Sequence, residues 1–408
     1  MSIVFIRLDK IGDLVATLPV DQALPKSLSQ NLHWVLPKGL GLLAGDHRSY
    51  LELDLKTEKE SEKKLVQYLK QVDAKMVVIF FAPWWVSRAC WKAGVALRVG
   101  RRSQWHSYIF LNHGLRQSRT LAEKHEADYN FELMQFALEK YESGKYSKLL
   151  FADETSKTNT YKNSSESFPS TNINSEKINS QKLDSENIEQ DLVNSKKPPA
   201  IELAASKKIQ NNSSSVIFSS QQTPILKLEV KTLRHLFEKF AIQPKKYFVV
   251  HPGMAGSALN WPSERYSELI EKLIAHGPVL ITGTPADEKY LAPLKTKWQK
   301  HPQIRWLQGQ LNLGELLSVL SNAQTVIAPS TGVLHLAASC GTHCVGIYSP
   351  ILVHRALRWG PRGDQATSIT PDANCPAQKK CLGDKCPSHP CMPLIDAEQV
   401  LQLALQTR

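Results

Sequence analysis

An α/β fold built twice, as two parallel sheets with helices on their faces, is what the 408-residue sequence predicts. Three observations carry this expectation. Short runs rich in Val, Ile, Phe and Tyr alternate with segments whose apolar residues recur at helical spacing, the mark of right-handed βαβ units. The alternation occurs twice, on either side of a tract from about Thr155 to Gln222 dominated by Ser, Asn, Lys, Glu, Thr and Gln. The hydrophobic share of 42% and the charged share of 22% are ordinary for a soluble globular chain, and no run approaches the roughly 18 apolar residues that cross a bilayer.

In the first half, Ile3–Leu8, His33–Leu36, Tyr50–Leu55, Met76–Phe81 and Ala96–Val99 read as strands. Asp13–Leu24, Ser61–Val72, Ser87–Lys92 and Ala127–Tyr141 read as the helices between and after them; Leu65, Leu69 and Val72 share one face of the second. The polar tract isolates its few apolar residues and cannot bury enough surface to offset the entropy of ordering, so it reads as a flexible linker. As a coil of roughly 70 residues its ends would average about 45 Å apart. In the second half the strands are Phe248–His251, Val279–Thr282, Ile304–Leu307, Thr325–Ala328 and Cys344–Tyr348. The helices are Glu264–His276, Asp287–Trp298, Leu313–Asn322 and one following Thr331–Gly332. The expected organisation is a Rossmann-like domain over 1–150, a disordered linker over 151–223 and a second Rossmann-like domain over 224–408. Two such sheets facing a central cleft form the GT-B arrangement, with ligand at the carboxyl ends of the strands.

A formal charge of +12 and a pI near 9.2 suit an anionic partner: nucleic acid, an anionic membrane surface or a phosphorylated substrate. No zinc-finger spacing or aromatic RNA-binding signature accompanies the charge, so no nucleic acid is expected. The N-terminal Ser2–Arg7 reads as a first strand, with no basic leader before it, which points to the cytoplasm and, with the charge, to the cytoplasmic face of the inner membrane.

Four motifs carry the chemistry. In Arg7-Leu8-Asp9-Lys10-Ile11-Gly12-Asp13 a strand ends, Gly12 permits a tight turn, and Asp13 falls at or near a helix N-cap. Asp there either caps the helix, worth about 1 kcal/mol, or presents a carboxylate to the cleft as a general base. In His251-Pro252-Gly253-Met254-Ala255-Gly256-Ser257, glycines after a buried strand suggest a loop that approaches a ligand closely. In Ser330-Thr331-Gly332-Val333-Leu334-His335, Ser330 or Thr331 caps a helix whose free N–H groups suit a diphosphate. Tyr348-Ser349-Pro350 is followed by Arg355, Arg358 and Trp359-Gly360-Pro361-Arg362, guanidiniums suited to phosphate or carboxylate.

In this order and spacing the four motifs resemble the glycosyltransferase family that includes the ADP-heptose:lipopolysaccharide heptosyltransferases, glycosyltransferase family 9. The resemblance rests on Arg7 to Pro19, His251 to Pro262, Ser330 to Ala338 and Arg358 to Pro361. It implies a GT-B fold and an inverting transfer that requires no cofactor or metal, from an ADP-sugar to a lipopolysaccharide core or lipid-linked saccharide. Asp13 matches the family's general base. The resemblance places Arg7, Lys10, Arg101 and Arg102 toward the acceptor, together with Trp84-Trp85. It places His251, Gly253, Gly256, Ser257, Ser330, Thr331, Gly332, His335 and Arg358 toward the donor. Two positions depart from the family pattern: Leu259-Asn260 stands where a cation often precedes Trp-Pro, and Ser330 stands where Asp is usual. Arg355 or Arg358 is then expected to supply the missing positive charge. Alternatives within the same fold are another nucleotide sugar, a protein acceptor, or a binding module without turnover.

Cys375, Cys381, Cys386 and Cys391 crowd one proline-rich stretch. Such a group suggests a structural zinc or iron site, although no C-x₂-C pair is present; disulfides, disfavoured in a reducing compartment, and a tail of free thiols are the alternatives.

Overall fold

Six strands of the first half, all parallel, line up in the order β3-β2-β1-β4-β5-β6: β1 Ser2–Arg7, β2 Leu32–Pro37, β3 Ser49–Leu53, β4 Ala74–Phe81, β5 Leu97–Arg101 and β6 His113–Leu115. Central β1 is buried along its whole length and pairs with β2 (Val4 with His33) and β4 (Val4 with Val77). Phe5, Trp34 and Phe80 fill one face, with Phe5 edge-on to the other two rings at 5.3 and 5.4 Å. Leu65 and Leu69 of the helix Glu58–Gln71 cover the other.

The second sheet, also all parallel, repeats the plan in the order β12-β11-β10-β7-β8-β9. Its strands are β7 Phe248–Val250, β8 Val279–Ile281, β9 Ile304–Trp306, β10 Thr325–Pro329, β11 Cys344–Ile347 and β12 Ala366–Ile369. Counted from its own first strand, this is the same 3-2-1-4-5-6 order as the first sheet, the doubly wound order. Each sheet therefore has one point where the chain's winding reverses: β1 beside β4, and β7 beside β10. The crevice at such a point opens at the carboxyl ends of the strands. Those ends lead into Leu8–Asp13, His251–Met254 and Ser330–Gly332. Together the two sheets make the GT-B fold.

The computed structural model describes residues 2–142, 223–254 and 258–406. The linker expected over 151–223 lies, apart from Thr223, outside the described residues, as do Gly256 and Ser257. Among the described residues no helix is long and apolar enough to cross a membrane.

The helices follow the expected order, with instructive differences. The segment expected as one helix over Asp13–Leu24 is α1 Ile11–Val15 and then a 3-10 turn Leu18–Ala23; Pro19 lacks the N–H that a continuous helix requires. The helices α2 Lys26–Ser29, α3 Glu58–Gln71, α4 Trp84–Lys92, α5 Trp105–Phe110 and α6 Glu126–Glu142 complete the first half. In the second half are α7 Arg234–Phe240, α8 Ser263–Leu273, α9 Glu288–Trp298, α10 Leu313–Ser321, α11 Gly332–Ser339, α12 Ala356–Trp359 and α13 Ala397–Leu405. Trp261 belongs to the core here: it stacks edge-on to Tyr266 at 4.9 Å, and its Nε1 donates to the Ile395 carbonyl at 3.1 Å.

Candidate active site

The turn after β1 enters α1 with Lys10 as the N-cap residue and no side-chain capping bond. Asp13 is therefore not the cap. It sits within the first turn, and its carboxylate is engaged elsewhere: Arg7 Nη2 donates to Asp13 Oδ1 at 2.5 Å. Arg7 ends β1 fully buried and also grips Asp9 through two bonds, at 2.7 and 2.8 Å. A charge-assisted bond to a guanidinium outcompetes a bond to a backbone N–H, which explains the lost cap.

Arg7 is one node of a larger buried ionic cluster. Its Nη1 donates to Asn130 Oδ1 at 3.3 Å, and its Nη2 lies 3.9 Å from Glu126. Glu126, at the start of α6, is also bonded to Arg119 and, at 3.3 Å, to Arg358 of the second half. Asn130 Nδ2 donates to Thr17 Oγ1 at 2.9 Å, and Thr17 in turn donates to the Asp13 carbonyl at 2.7 Å. Four guanidiniums, counting half-buried Arg101, thus face three carboxylates. Burial pushes the Asp13 carboxyl above its ordinary value, against the pull of Arg7. Asp9 is likewise pushed up by burial, to about 6. Glu126 goes the other way: burial raises it, but Arg119, Arg7, Arg358 and Arg101 together hold it below the ordinary carboxylate range.

Asp13 opens onto a cavity of about 630 Å³ that both halves line. From the first half come Lys10, Ile11, Gly12 and Asp13; from the second come His251, Met254, Thr284, Asp287, Ser330–Val333, His335, Val353, His354, Arg358 and Trp359. Two glycines let the halves meet at its floor. A Cβ on Gly12 would lie 2.8 Å from His335 Cδ2, and one on Gly332 would lie 2.9 Å from Ile11 Cβ. Across the cavity floor from Asp13, α11 begins with Thr331 as its N-cap residue, whose hydroxyl makes no capping bond. Thr331 Oγ1, His354 Nδ1 and Arg358 Nε are buried without a hydrogen-bond partner among the described residues. Buried polar atoms are nearly always paired; three unpaired around one cavity, beside free helix N–H groups, describe a site for an anion.

Further contacts hold the halves together around this floor. His125 Nε2 donates to the Gly360 carbonyl at 2.8 Å while its Nδ1 accepts from the Ala127 N–H at 3.1 Å. Burial, with Arg362 nearby, lowers its pKa to about 4 and keeps it neutral. Arg362 pairs with Asp128 at 2.6 Å, and Arg355 Nη2 donates to the Ala122 carbonyl at 2.9 Å.

Residues 200–389 match the model of glycosyltransferase family 9 (heptosyltransferase). A Haemophilus influenzae protein provisionally named a glycosyltransferase is 25% identical over 93% of this chain and 90% of its own length. Among solved structures, the E. coli ADP-heptose LPS heptosyltransferase II superposes with a TM-score of 0.65 at 15% identity, covering 99% of this chain and 97% of that one. The E. coli heptosyltransferase WaaC with ADP superposes at 0.56 and 14% identity, covering 98% of each chain. The second half of the chain thus carries a glycosyltransferase family 9 (heptosyltransferase) domain, and the chain is a glycosyltransferase.

In this glycosyltransferase the cavity brings together Lys10, Asp13, His251, Ser330, Thr331, Gly332, His335 and Arg358. Arg7 lies behind Asp13 rather than in the cavity. Gly253 serves at one remove: a Cβ there would sit 2.2 Å from Asp287 Cγ, so the glycine makes room for that carboxylate. Asp287 accepts from Thr284 N–H and Oγ1 at 2.9 and 2.7 Å. His251 Nδ1 meets Thr282 Oγ1 at 3.0 Å, and burial lowers its pKa to about 4; burial takes His335 to about 3. Both imidazoles are therefore neutral packing groups at neutral pH. Asn260, in the place of the missing cation, is consumed locally: Nδ2 donates to the Pro252 carbonyl at 2.7 Å and Oδ1 accepts from Trp261 N–H at 2.9 Å. Of the Trp84-Trp85 pair, Trp85 is core and Trp84 is exposed. Arg102 is exposed and lies over the Tyr108 ring at 5.0 Å.

Sequence reasoning missed Asp287, Thr284 and His354 in the cavity, and Glu126, Asn130 and Arg119 behind it. The turn Gly283-Thr284-Pro285-Ala286-Asp287 follows a buried strand and carries a capping signature, a signal that could have marked the first two. Cys375, Cys381, Cys386 and Cys391 are free thiols. Burial raises the Cys391 thiol, and the other three are near enough to add to that push. No three His, Cys, Asp or Glu side chains are grouped to hold a metal among the described residues, these four cysteines included.

Proposed function

We propose that this glycosyltransferase moves a heptose from ADP-heptose to a sugar of a lipopolysaccharide core, with inversion and with Asp13 as general base. The observation that carries the reading is the shared cavity. Asp13 from one half, and the unpaired Thr331 Oγ1, His354 Nδ1 and Arg358 Nε from the other, face the same 630 Å³ space. An inverting transfer needs that separation: a base beside the attacking hydroxyl, and donors beside the departing diphosphate. Asp13 accepts the acceptor's proton. The N–H groups of α11, Thr331 Oγ1, His354 and Arg358 meet the charge that builds on the diphosphate as the anomeric bond breaks. These groups offset the charge without a divalent cation. The donor and acceptor named here are those in the name of the E. coli heptosyltransferase II, and ADP is the ligand named with WaaC.

One observation favours a second reading, another nucleotide sugar. Asn260 is fully engaged with its own loop, and Ser330 carries no charge, so the donor pocket lacks two charges that the family pattern leads one to expect. A transfer assay with a panel of nucleotide sugars and a lipopolysaccharide core acceptor tests both. Turnover highest with ADP-heptose is expected; preference for a different donor would replace the first reading with the second.

A further inference from the structure

Between Asp73 and Glu123 the sequence contains eight Lys or Arg and no Asp or Glu. That stretch alone carries +8 of the chain's formal +12 and four of its nine tryptophans. The fold gathers much of it on α4 and α5, which lie side by side at the edge of the first sheet. Trp84 meets Trp105 with ring centroids 5.9 Å apart, and Trp91 meets Phe110 at 6.1 Å, two rungs along the helix pair. Four large side chains on this face stand open: Trp91 is 55% exposed, Trp105 62%, Tyr108 54% and Ile109 61%.

The cations around the face divide into two kinds. Arg88 and Lys92 are balanced by Glu62 of α3, at 2.7 and 3.1 Å. Arg98 and Arg102, which flank α5, have no carboxylate partner among the described residues. Arg98 donates to the carbonyls of Phe110 and Val95, and Arg102 stacks on Tyr108. Arg116 follows directly after β6, whose Leu115 carbonyl accepts from the Arg102 N–H at 2.9 Å. Exposed indole and phenol rings, an isoleucine and uncompensated guanidiniums, with no acid on either helix, are the composition of a surface that lies in a headgroup layer. A sugar-stacking platform would need only Trp84 and Trp105, near the carboxyl ends of the strands. Trp91 lies seven residues further along α4, roughly 10 Å away, and Ile109 lies four residues along α5 from Trp105, roughly 6 Å away.

We propose that the outer face of α4 and α5 seats the protein on an anionic lipid bilayer. Trp91, Trp105, Tyr108 and Ile109 enter the interface, and Arg98, Arg102 and Arg116 meet the phosphates. The face begins at Trp84, just after β4, so it adjoins the same carboxyl edge of the first sheet that presents Asp13. Seating there brings the base to the membrane side of the cleft, where a lipid-anchored saccharide is displayed. The binding itself does not depend on which sugar is transferred.

The test is co-sedimentation of the full chain with vesicles of phosphatidylcholine alone or mixed with phosphatidylglycerol. Binding is expected to the mixed vesicles only, weakening as salt is raised. Quenching of the unsubstituted chain's tryptophan fluorescence by brominated phospholipid should accompany it. Trp91→Ser combined with Ile109→Ser should lower the partition coefficient by about tenfold or more, while turnover of the donor with a water-soluble acceptor is unchanged. Three results would overturn the proposal. The unsubstituted chain could fail to bind anionic vesicles, or the double variant could bind them equally well. Sedimentation analysis could instead reveal a dimer that the double variant dissolves, assigning the face to a second copy of this chain.

Discussion

Asp13→Asn separates the catalytic account of this residue from a structural one, because the two predict opposite stability changes. General-base assistance contributes about 10²- to 10⁴-fold to a rate, so losing it should raise the barrier by about 3–5 kcal/mol. Stability should not fall with it. The carboxyl is pushed above its ordinary value of 3.8, burial outweighing the bond from Arg7. A group whose folded pKa is raised in this way binds its proton more tightly in the folded state. Its contribution to stability is full below the ordinary value and is lost as pH rises through the folded one. At neutral pH the ionised Asp13 is therefore a burden on the fold, and the nearly isosteric amide removes it. Single-turnover transfer should drop by two to four orders of magnitude, while the melting temperature at neutral pH stays level or rises. At acid pH the two melting curves should approach one another. For the unsubstituted enzyme, the acid limb of the rate profile should lie above the ordinary carboxylate value. Near-normal transfer by the folded variant would remove the base assignment. A clear loss of stability at neutral pH would refute the electrostatic reasoning.

Other outcomes follow from single features of the site. Gly332→Ala would place a Cβ 2.9 Å from Ile11 Cβ and 3.4 Å from the Gly12 nitrogen. Overpacking of that kind costs about 1–3 kcal/mol. Melting temperature and kcat should both fall, and an unaffected enzyme would show that the two turns are not closely apposed. Glu126→Gln breaks buried pairs with Arg119 and Arg358 and should lower unfolding free energy by about 3–5 kcal/mol in urea titrations. Because Glu126 is held below the ordinary carboxylate range, its stabilisation is present above that range and disappears as pH falls through the folded value. The two proteins should therefore converge in acid; a constant gap would contradict the ionic account. Thr331→Val removes a buried hydroxyl without a partner, so stability should hold or improve. Donor affinity measured by calorimetry should weaken by about tenfold, the worth of one hydrogen bond. Unchanged affinity would exclude Thr331 from the donor site.

Much of this was legible in the chain because the governing patterns are local. A buried strand such as β1 announces itself as a continuous apolar run, and a parallel sheet follows from alternation with helices. The turns after the strands then fall at the carboxyl edge where a cleft opens, and the motif resemblance, rather than spacing, pointed Asp13 and Ser330–Gly332 into it. The environment of Asp13 was not legible. Its partner Arg7 is only six residues away, but what buries Arg7 is Glu126 and Asn130 on α6, more than a hundred residues on. Spacing therefore suggested a cap where the fold makes an ion pair. Trp84 and Trp85 are adjacent yet divide between surface and core, which depends on the exact start of α4. The short α5 and β6 have too few residues for either period to show, and Asp287 reaches the cavity only because Gly253 leaves space for it.

Glu126 answers to both halves at once. Its negative charge is one of the influences that raise the proton affinity of Asp13, and the same carboxylate holds Arg358 in the wall of the shared cavity. Such sharing makes the two events reciprocal by thermodynamic necessity. An anion that draws Arg358 away from Glu126 leaves that carboxylate less compensated, and Asp13 becomes the stronger base. Protonating Asp13, in turn, changes how tightly the anion is held. In the proposed transfer, a departing diphosphate and an arriving proton would thus act on one another through a residue that touches neither.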